Sequence, residues 1–440
     1  MFNLRYLFRL VQEFFLRFKL ILLVGLIIGV ASFFLIRFVA PLLFSGKLEK
    51  IGVTGNFHTD NLPTSILGLI GDGLTKVDEA GNVEPALARS WESPDKGKTW
   101  IFHLKDGLFW QDGKKVTSKS IVYEFSDVNI ERPNDSTLIF KLQNPFSPFP
   151  YIVSRPTFKK GLLGTGKWRV SKISLAGSFV QSIVLTEKEG NKKIIRFYPT
   201  EERTKIAFKL GEVNAIQDLF NLQPFETWKV AEVKKEISKG RVVTIFFNTQ
   251  DKFLSEKNLR QALSYAVDKS KFNSEKALSS ISPNSWSYNP QVKPYDYDPA
   301  KAKKLIEDLP KESKQDLKIK LVTSPVLLSV AESIAKDWEA LGIKVIVQVY
   351  SGIPSEYQAF LAIYDIPGDP DQYSLWHSTQ ADTNISRYKN PRIDKLLEDG
   401  RVELDLEVRK KIYLDFQRFL VEDSPAIFLY NPITYRVLRK

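Results

Sequence analysis

The first long hydrophobic stretch of the chain runs from Leu20 to Ile36 and contains no charged residue. A transmembrane helix needs roughly 20 apolar residues. The stretch reaches that length together with the apolar residues after Arg37, provided that the arginine side chain extends to the membrane interface. The pattern therefore predicts a transmembrane segment over residues 20–44 that contacts membrane lipid.

The residues before this segment carry four bases and a single acid, Glu13. An excess of lysine and arginine beside a membrane span stays on the cytoplasmic side. Residues 1–19 are therefore predicted to be cytoplasmic, and everything after residue 44 is predicted to be extracytoplasmic on a single-pass anchor. The four bases are Arg5, Arg9, Arg17 and Lys19.

A cleaved signal peptide is the alternative reading of the same stretch. Its apolar region would be about 7–15 residues long and would end in small residues at a cleavage site. Here the exit from Phe38 to Phe44 is bulky and has no Ala-x-Ala, which favours an uncleaved anchor. The chain has no cysteine, so it has neither a lipid-bearing cysteine nor a disulfide.

After the first segment the apolar positions follow helical spacing in several places. An apolar face after Ser255 repeats at i, i+3, i+4, i+7 and i+8, which predicts a helix. Asp298 followed by Pro299 predicts the start of another helix, because Asp caps free amides and Pro fits the first helical position. The face after Ser255 consists of Leu259, Ala262, Leu263, Ala266 and Val267.

A third helix is predicted from Val330 to Leu341, and Gly342 ends it. Alternating apolar residues from Ile343 to Val349 then predict a strand. Helices and strands that follow one another in this way are typical of an α/β fold. About 395 residues remain after the first segment, enough for two or three domains.

Charge and composition change this picture little. The hydrophobic content of 43% and charged content of 26% are ordinary for a globular chain. The net charge is +12, of which +8 falls after residue 44. The lysines are scattered among acids, as from Val230 to Lys239, so a solvated face near anionic lipid head groups is favoured and no nucleic-acid partner is predicted.

Motifs of known chemistry do not predict an enzyme. The stretch from Gly161 to Lys167, GLLGTGK, has phosphate-loop spacing, but Trp168 stands where a Ser or Thr must reach magnesium. The stretch SPDK from Ser93 to Lys96 lacks the partner motifs of a serine acyl-transferase, and Pro and Asp favour a turn there. The three histidines are far apart, so no catalytic residue, metal site or cofactor is predicted.

The stretch from Gly73 to Phe125 resembles the opening pattern of the family 5 extracellular solute-binding proteins, the peptide-, nickel- and oligosaccharide-binding components of ABC importers. It begins GLTKVDEAGNVEPALARSWESPD and ends KSIVYEF. Further motifs follow in family order and cover nearly all of the chain after the anchor. They are GTGKWRV, KLGEVNAI, FFNTQ, LRQALSYAVDKSKF, YDYDPAKAKKLIEDL, GDPDQYSLWHS, NISRYKNPRIDKLLEDGR and EDSPAIFLY.

The resemblance implies a two-lobe periplasmic-binding-protein-like fold of the large peptide-binding class, with a ligand held between the lobes. Lobe one is expected at 45–247 with a shortened subdomain around 75–160, completed by 424–440, and lobe two at 248–423. It also implies capture of a peptide or similar organic solute and its presentation to permease subunits of an ABC importer. An extracytoplasmic sensor or envelope-interaction protein on the same scaffold is the alternative.

Ligand contacts are expected at the positions that match the ligand-side motif of the family and at the chain crossing between lobes. In peptide-binding members an aspartate three positions before the Asp-Pro step binds the ligand's α-amino group. Here Ile366 has that position and Asp365 is one place off, so amino-terminal recognition does not carry over. The candidates are Asp365, Asp369, Asp371, Trp376, Asn384, Tyr388, Phe247, Asn248 and Trp168.

The segment between Phe125 and Ser136 is much shorter than in typical members, which have several helical turns there. The resemblance therefore implies that the smaller subdomain is trimmed and that one wall of the cleft is reduced. Ligand size does not follow from the sequence.

Overall fold

The computed structural model describes residues 4–35, 37, 46–352 and 354–440. Helix α1, Leu4–Phe34, begins well before residue 20 and includes the four basic residues that precede the apolar stretch. Its part from Leu16 to Phe34 is long and apolar enough to cross a membrane, and none of it is buried against the rest of the protein. The end of the predicted span, with the bulky residues 38–44, lies outside the described residues.

Beyond α1 the described chain alternates between strands and helices. The helices are α2 Thr64–Ile70, α3 Phe149–Ile152, α4 Glu201–Lys209, α5 Lys257–Ala266, α6 Pro299–Glu307, α7 Lys311–Lys314, α8 Leu328–Glu339, α9 Tyr373–Trp376, α10 Pro391–Val402 and α11 Leu406–Asp423. The strands are β1 Leu48–Thr54, β2 Thr75–Val77, β3 Val83–Pro85, β4 Ala88–Glu92, β5 Thr99–Leu104, β6 Val128–Asn134, β7 Thr137–Leu142, β8 Arg169–Ala176, β9 Phe179–Thr186, β10 Lys192–Tyr198, β11 Ala215–Leu219, β12 Ala231–Ile237, β13 Arg241–Phe247, β14 Lys318–Thr323, β15 Lys344–Val349, β16 Ala359–Asp365, β17 Ala426–Tyr430 and β18 Ile433–Arg439.

A seven-stranded sheet has the order β12-β18-β11-β1-β10-β9-β8. Its central strand β1 pairs in parallel with β10 and β11, while β18 enters antiparallel from the C-terminal end of the chain. Successive side chains of a strand point to opposite faces of the sheet. Ile183 and Leu185 of β9, two positions apart, therefore lie on the same face, and both are buried. We call this sheet, together with the small sheet described below, lobe one.

A five-stranded sheet has the order β15-β14-β16-β13-β17. Strand β13 lies between β16 and β17 and reads RVVTIFF, with residues 242–247 all buried. Such a continuous apolar run is typical of a strand covered on both faces. Residues from α5, α8, α10 and α11 belong to the same hydrophobic core as β13. We call this sheet and its helices lobe two.

The crossings between the two large sheets differ from the predicted boundaries. Strands β13 and β17 belong to the sheet of lobe two, not to lobe one. The chain therefore crosses at 238–240 and returns at 431–432, rather than at 247–248 and 423–424. The error arose because an apolar strand at a crossing has the same pattern on either side, and only its hydrogen-bonded neighbours decide which sheet it joins.

A small four-stranded sheet, β4-β5-β7-β6, lies in the predicted subdomain. Its core is aromatic, with Phe102, Phe140 and Phe149 buried and in ring contact. The described residues 121–127 contain no helix and lead directly into β6. This side of the small sheet is therefore built without a helical layer.

The helix predictions made from apolar spacing are confirmed. Helix α5 buries Leu259, Ala262 and Leu263 completely. Asp298 caps α6, since its Oδ1 accepts a hydrogen bond from the amide of Lys301 at 2.9 Å. Helix α8 ends at Glu339, three residues before the predicted glycine, Gly342, whose φ is +81°, and strand β15 follows.

Candidate functional site

The lobes meet at the first crossing through an arginine held by two carboxylates. Arg241, the first residue of β13, donates from both terminal nitrogens to Asp218 of lobe one, at 2.8 and 2.5 Å. Its Nε donates to Asp365 of lobe two at 3.0 Å. Asp218 reaches the arginine from a bulge in β11, where its φ is +64°. A bulge redirects a side chain in this way.

The cluster carries an excess of one negative charge. The hydrogen bonds to Asp218 raise the pKa of Arg241 above its ordinary value, since they stabilise the charged form. The Asp365 carboxylate is 87% exposed, so it lies on the solvent side of the cluster. The amide of Ile366 donates to Gly240 at the crossing, at 2.8 Å. Asp365 therefore ends its strand beside the first crossing.

The loop after β16 places two further aspartates, each beside its own arginine. Asp369 and Arg409 form a buried pair with two parallel hydrogen bonds, of 2.8 and 2.6 Å. Burial alone would lower the pKa of Arg409, but the charge of Asp369 raises it above its ordinary value. Asp369 also accepts a hydrogen bond from the amide of Asp371, at 2.9 Å. This aspartate therefore stabilises the loop.

Asp371 lies 3.1 Å from Nε of Arg401, and its side chain is only 11% exposed. Burial raises the pKa of Asp371 above its ordinary value, and the positive charge of Arg401 opposes that rise. The guanidinium of Arg401 is placed over the ring of Tyr373 at 4.3 Å and over the ring of Phe146 at 5.0 Å. These two rings come from different lobes.

A cavity of about 700 Å³ opens at this point between the small sheet and lobe two. Its size is that of a typical small-molecule site. The three charged residues among its described lining, Glu398, Arg401 and Asp127, come from both sides of the interface. The remaining walls are mostly apolar or aromatic and include Phe125, Val128, Leu142, Phe146, Phe149, Ile152, Tyr373 and Val402.

A second cavity, of about 290 Å³, is lined in part by the buried pair of Asp369 and Arg409. Its lining includes Trp91, Trp100, Tyr151 and Trp286, together with Asp369 and Arg409. Beside it the lobes are joined by hydrogen bonds, from the amide of Gly368 to the Tyr151 hydroxyl at 3.1 Å and from the amide of Trp286 to the carbonyl of Ala80 at 2.9 Å. Both cavities therefore occupy the interface between the lobes.

This architecture is that of a known group of binding proteins. A family model for bacterial extracellular solute-binding proteins, family 5 middle, matches residues 82–384. The chain belongs to this family. The oligopeptide-binding protein AppA of Bacillus subtilis strain 168 is 23% identical to it over 86% of this chain and 83% of the relative. The dipeptide-binding protein of Escherichia coli strain K12 is 24% identical over 81% and 82%.

Solved structures show the same fold. NikZ from Campylobacter jejuni, in complex with Ni(L-His), matches with a TM-score of 0.74 at 23% identity and covers 89% of this chain and 94% of its own. AppA from Bacillus subtilis, in complex with a nonapeptide, matches with a TM-score of 0.70 at 20% identity, over 90% and 95%. The predicted α/β solute-binding fold is thus confirmed, and these relatives are binding proteins by name, not enzymes.

Within this family 5 protein, three of the expected ligand contacts are buried in the core of lobe two. Trp376 and Phe247 have no exposed surface, and Tyr388 is 4% exposed. The indole of Trp376 donates to Gln372 Oε1 at 2.9 Å, and its ring lies 6.0 Å from that of Phe246. The structure therefore favours packing roles for these three side chains, which have little or no surface exposed to a ligand.

Asn384 and Asn248 stabilise loops. The side-chain amide of Asn384 donates to the carbonyl of Tyr388 at 2.8 Å, and that of Asn248 donates to the carbonyl of Tyr357 at 3.2 Å. Trp168 is half-buried against the core of the seven-stranded sheet, with Lys193 Nζ 5.0 Å above its ring. Neither of the two described interface cavities includes any of these three candidates in its lining.

Tyr388 gives a prediction about acid stability through its partner Asp423. Burial would raise the pKa of Asp423, but hydrogen bonds from Lys257 and Tyr388 lower it below its ordinary value. A carboxyl group whose pKa is lower in the folded state stabilises the fold at pH values above its unfolded-state pKa of about 4. That stabilisation is lost as the pH falls through the folded-state pKa. Asp423→Asn should therefore cost roughly 1.5–3 kcal/mol at pH 7.

The pH dependence distinguishes this explanation from simple loss of packing. Urea unfolding should show the difference between wild type and Asp423→Asn shrinking from pH 7 to pH 3. Asp399→Asn, in an exposed pair with Lys395, is the matched control and should cost less than about 0.5 kcal/mol at both pH values. If Asp423→Asn lowers the free energy of unfolding by the same amount at pH 3 as at pH 7, the lowered pKa of Asp423 does not explain the loss.

The motifs of other chemistry have structural explanations. GLLGTGK precedes strand β8 and not a helix, so it does not form a phosphate loop. In SPDK the Ser93 hydroxyl accepts a hydrogen bond from the amide of Gly97 at 2.7 Å, as in a turn. Among the described residues no three His, Cys, Asp or Glu side chains are grouped so as to hold a metal ion.

Sequence reasoning missed the residues that line the larger cavity on the side of lobe two, Tyr373, Glu398 and Arg401. Glu398 and Arg401 lie three positions apart on α10, a spacing that puts both on one face of the helix. Their motif was recognised, but a charged pair near the end of a helix is usually solvated. Only the tertiary position of the helix identifies this pair as part of a cavity.

Proposed function

We propose that this family 5 protein captures a peptide or similar small organic solute between its lobes and presents it to the permease subunits of an ABC importer. The cavity of about 700 Å³ is the observation that carries the proposal, because its walls come from both lobes. The printed names of the relatives, oligopeptide-binding and dipeptide-binding, support a peptide as the first candidate. The proposal involves no catalytic step.

The mechanism follows from which residues line the cavity. Phe125 and Phe146 belong to lobe one, whereas Tyr373 and Arg401 belong to lobe two. A solute in contact with both sets stabilises the arrangement in which the lobes are close, since it loses half of its contacts when they separate. The two chain crossings are the segments where the backbone bends during such a closure. A permease that recognises the closed arrangement then binds the solute-bound protein in preference to the solute-free protein.

We further propose that α1 anchors the protein in the cell membrane, with the N-terminus cytoplasmic and the binding lobes extracytoplasmic. Support comes from the apolar part of α1, Leu16–Phe34, which makes no buried contact with the lobes. A helix that is apolar on all sides and not covered by protein is stable in lipid. Such an anchor keeps the binding lobes close to a permease in the same membrane.

A fragment of residues 46–440 tests whether the anchor contributes to folding. Because the part of α1 from Leu16 to Phe34 is not buried against the lobes, we expect the fragment to melt within about 2 °C of the full chain in the same detergent. Differential scanning calorimetry of the two proteins measures this, and cell fractionation should find full-length protein in membranes and the fragment in the soluble fraction. A fragment that stays in the membrane pellet would contradict the anchoring role.

Native mass spectrometry of the full-length protein released from detergent tests the binding function. We expect an adduct of a few hundred daltons that is lost on mild denaturation, and fragmentation of that adduct identifies its class. If the protein carries no adduct, and its melting temperature does not rise with pools of short peptides, the capture of a peptide-like solute is contradicted. Val402→Trp, which fills the cavity from its rim, should abolish the adduct.

A further inference from the structure

The arginines that contact Asp365, Asp369 and Asp371 differ in how their terminal nitrogens are used. In Arg241 and Arg409 both terminal nitrogens donate to an aspartate carboxylate. In Arg401 only Nε lies near a carboxylate, at 3.1 Å from Asp371, and that nitrogen is buried without an aligned hydrogen bond. Among the described residues no acceptor is bonded to the terminal nitrogens of Arg401, and the residue lines the larger cavity.

The surroundings of Arg401 fix the orientation of this guanidinium. It lies over Tyr373 of lobe two and over Phe146 of lobe one, at 4.3 and 5.0 Å. Aromatic faces attract a guanidinium and leave its N–H groups free at the edge of the plane. Two parallel N–H donors at such an edge match the two oxygens of a carboxylate. Asp371, behind the guanidinium, provides a fixed counter-charge.

The other charges of the cavity have the opposite sign. Glu398 and Asp127 line it, and Glu398 is 53% exposed, with one oxygen 3.3 Å from His377 Nε2. Carboxylates on both lobes therefore face the same space as the single guanidinium found among the lining residues. A molecule with one acidic end and one basic end has complementary charges, and the apolar walls accommodate its body.

We propose that Arg401 binds the carboxylate of the captured solute, so that the ligand is a short peptide or another zwitterion held by its acid end. The assignment rests on the proposed function. It is consistent with Ile366, which stands where the family resemblance implies an aspartate for the amino end. The amino group of the ligand then lies on the side of Glu398 and Asp127.

Paired ligands test the assignment on the full-length protein in detergent. A mixture of di- to tetrapeptides is divided, and one half is converted to C-terminal amides. By isothermal titration calorimetry we expect the free acids to bind and the amides to bind about ten- to hundred-fold more weakly, since a hydrogen-bonded charge pair is lost. Equal binding of both halves overturns the carboxylate assignment and leaves solute capture intact, whereas binding of neither half counts against both.

Substitutions locate the effect. Arg401→Gln should weaken the binding of the free acids by the same factor and abolish their preference over the amides. Arg401→Lys should restore part of that preference. Arg392→Gln is the matched control, because Arg392 lies on the same helix and over Phe419, outside the cavity lining. If Arg401→Gln leaves Asp371 unpaired and unfolds, the double variant Asp371→Asn with Arg401→Gln removes both charges. A folded double variant that still prefers free acids overturns the proposal.

Discussion

Replacing Asp369 with asparagine should lower the free energy of unfolding by about 3–5 kcal/mol. The carboxylate and the Arg409 guanidinium are each 8% exposed, and two parallel hydrogen bonds join them. Removing one partner leaves the other charge buried without compensation, and that cost is typically of this size. Arg409 keeps its bond to the carbonyl of Gly400, at 2.8 Å, but this neutral acceptor does not balance the charge. Urea unfolding monitored by tryptophan fluorescence measures the loss.

Asp365→Asn is the matched control for that prediction. The two aspartates lie four positions apart on one segment and each contacts an arginine, but Asp365 is 87% exposed. Exposed pairs contribute between 0 and 1 kcal/mol, so the control should lose less than about 1 kcal/mol. If Asp369→Asn and Asp365→Asn are equally stable, Asp369 does not stabilise the loop through its buried ion pair, and a ligand contact becomes the better explanation for it.

Trp376→Ala should also cost about 3–5 kcal/mol, because the indole is fully buried in the core of lobe two. The variant loses the packing of the ring against Phe246 and Phe428 and the hydrogen bond to Gln372. Thermal unfolding measures the stability, and peptide binding below the melting temperature measures the function.

The two readouts separate a packing role from a ligand contact at this position. We expect Trp376→Phe to recover most of the stability, and we expect Trp376→Ala to bind with an affinity within about threefold of wild type while it remains folded. A variant that melts like wild type and no longer binds would instead make Trp376 a residue of the binding site.

Local features of the fold followed from the sequence because short-range physics decides them. The cap at Asp298 and the apolar face of α5 are determined by neighbours within one or two helical turns. The prediction that β13 belongs to lobe one was wrong, because the sheet that a strand joins depends on residues far along the chain. Its partners in β16 begin more than a hundred positions later.

The candidate site was harder to predict for the same reason. The motif predicted ligand contacts in the loop after β16, which lies at the interface between the lobes, but it did not indicate that Arg241 would contact Asp365 or that Arg409 would contact Asp369. An aromatic residue in a ligand-side motif has the same appearance whether it fills a core, as Trp376 does, or lines a cavity, as Tyr373 does. Burial and ion pairing are tertiary properties, so the residues of the cavity emerged only from the structure.

The central claim is that a solute brings the two sides of the larger cavity together, and a distance between them tests it most directly. The chain has no cysteine, so Asp135→Cys on the small sheet and Lys395→Cys on α10 give two unique label sites. Both positions are exposed. Double electron–electron resonance on the labelled full-length protein should show a shorter and narrower distance distribution when the free-acid peptides are added. An unchanged distribution, in a sample for which calorimetry shows binding, would contradict closure around the ligand.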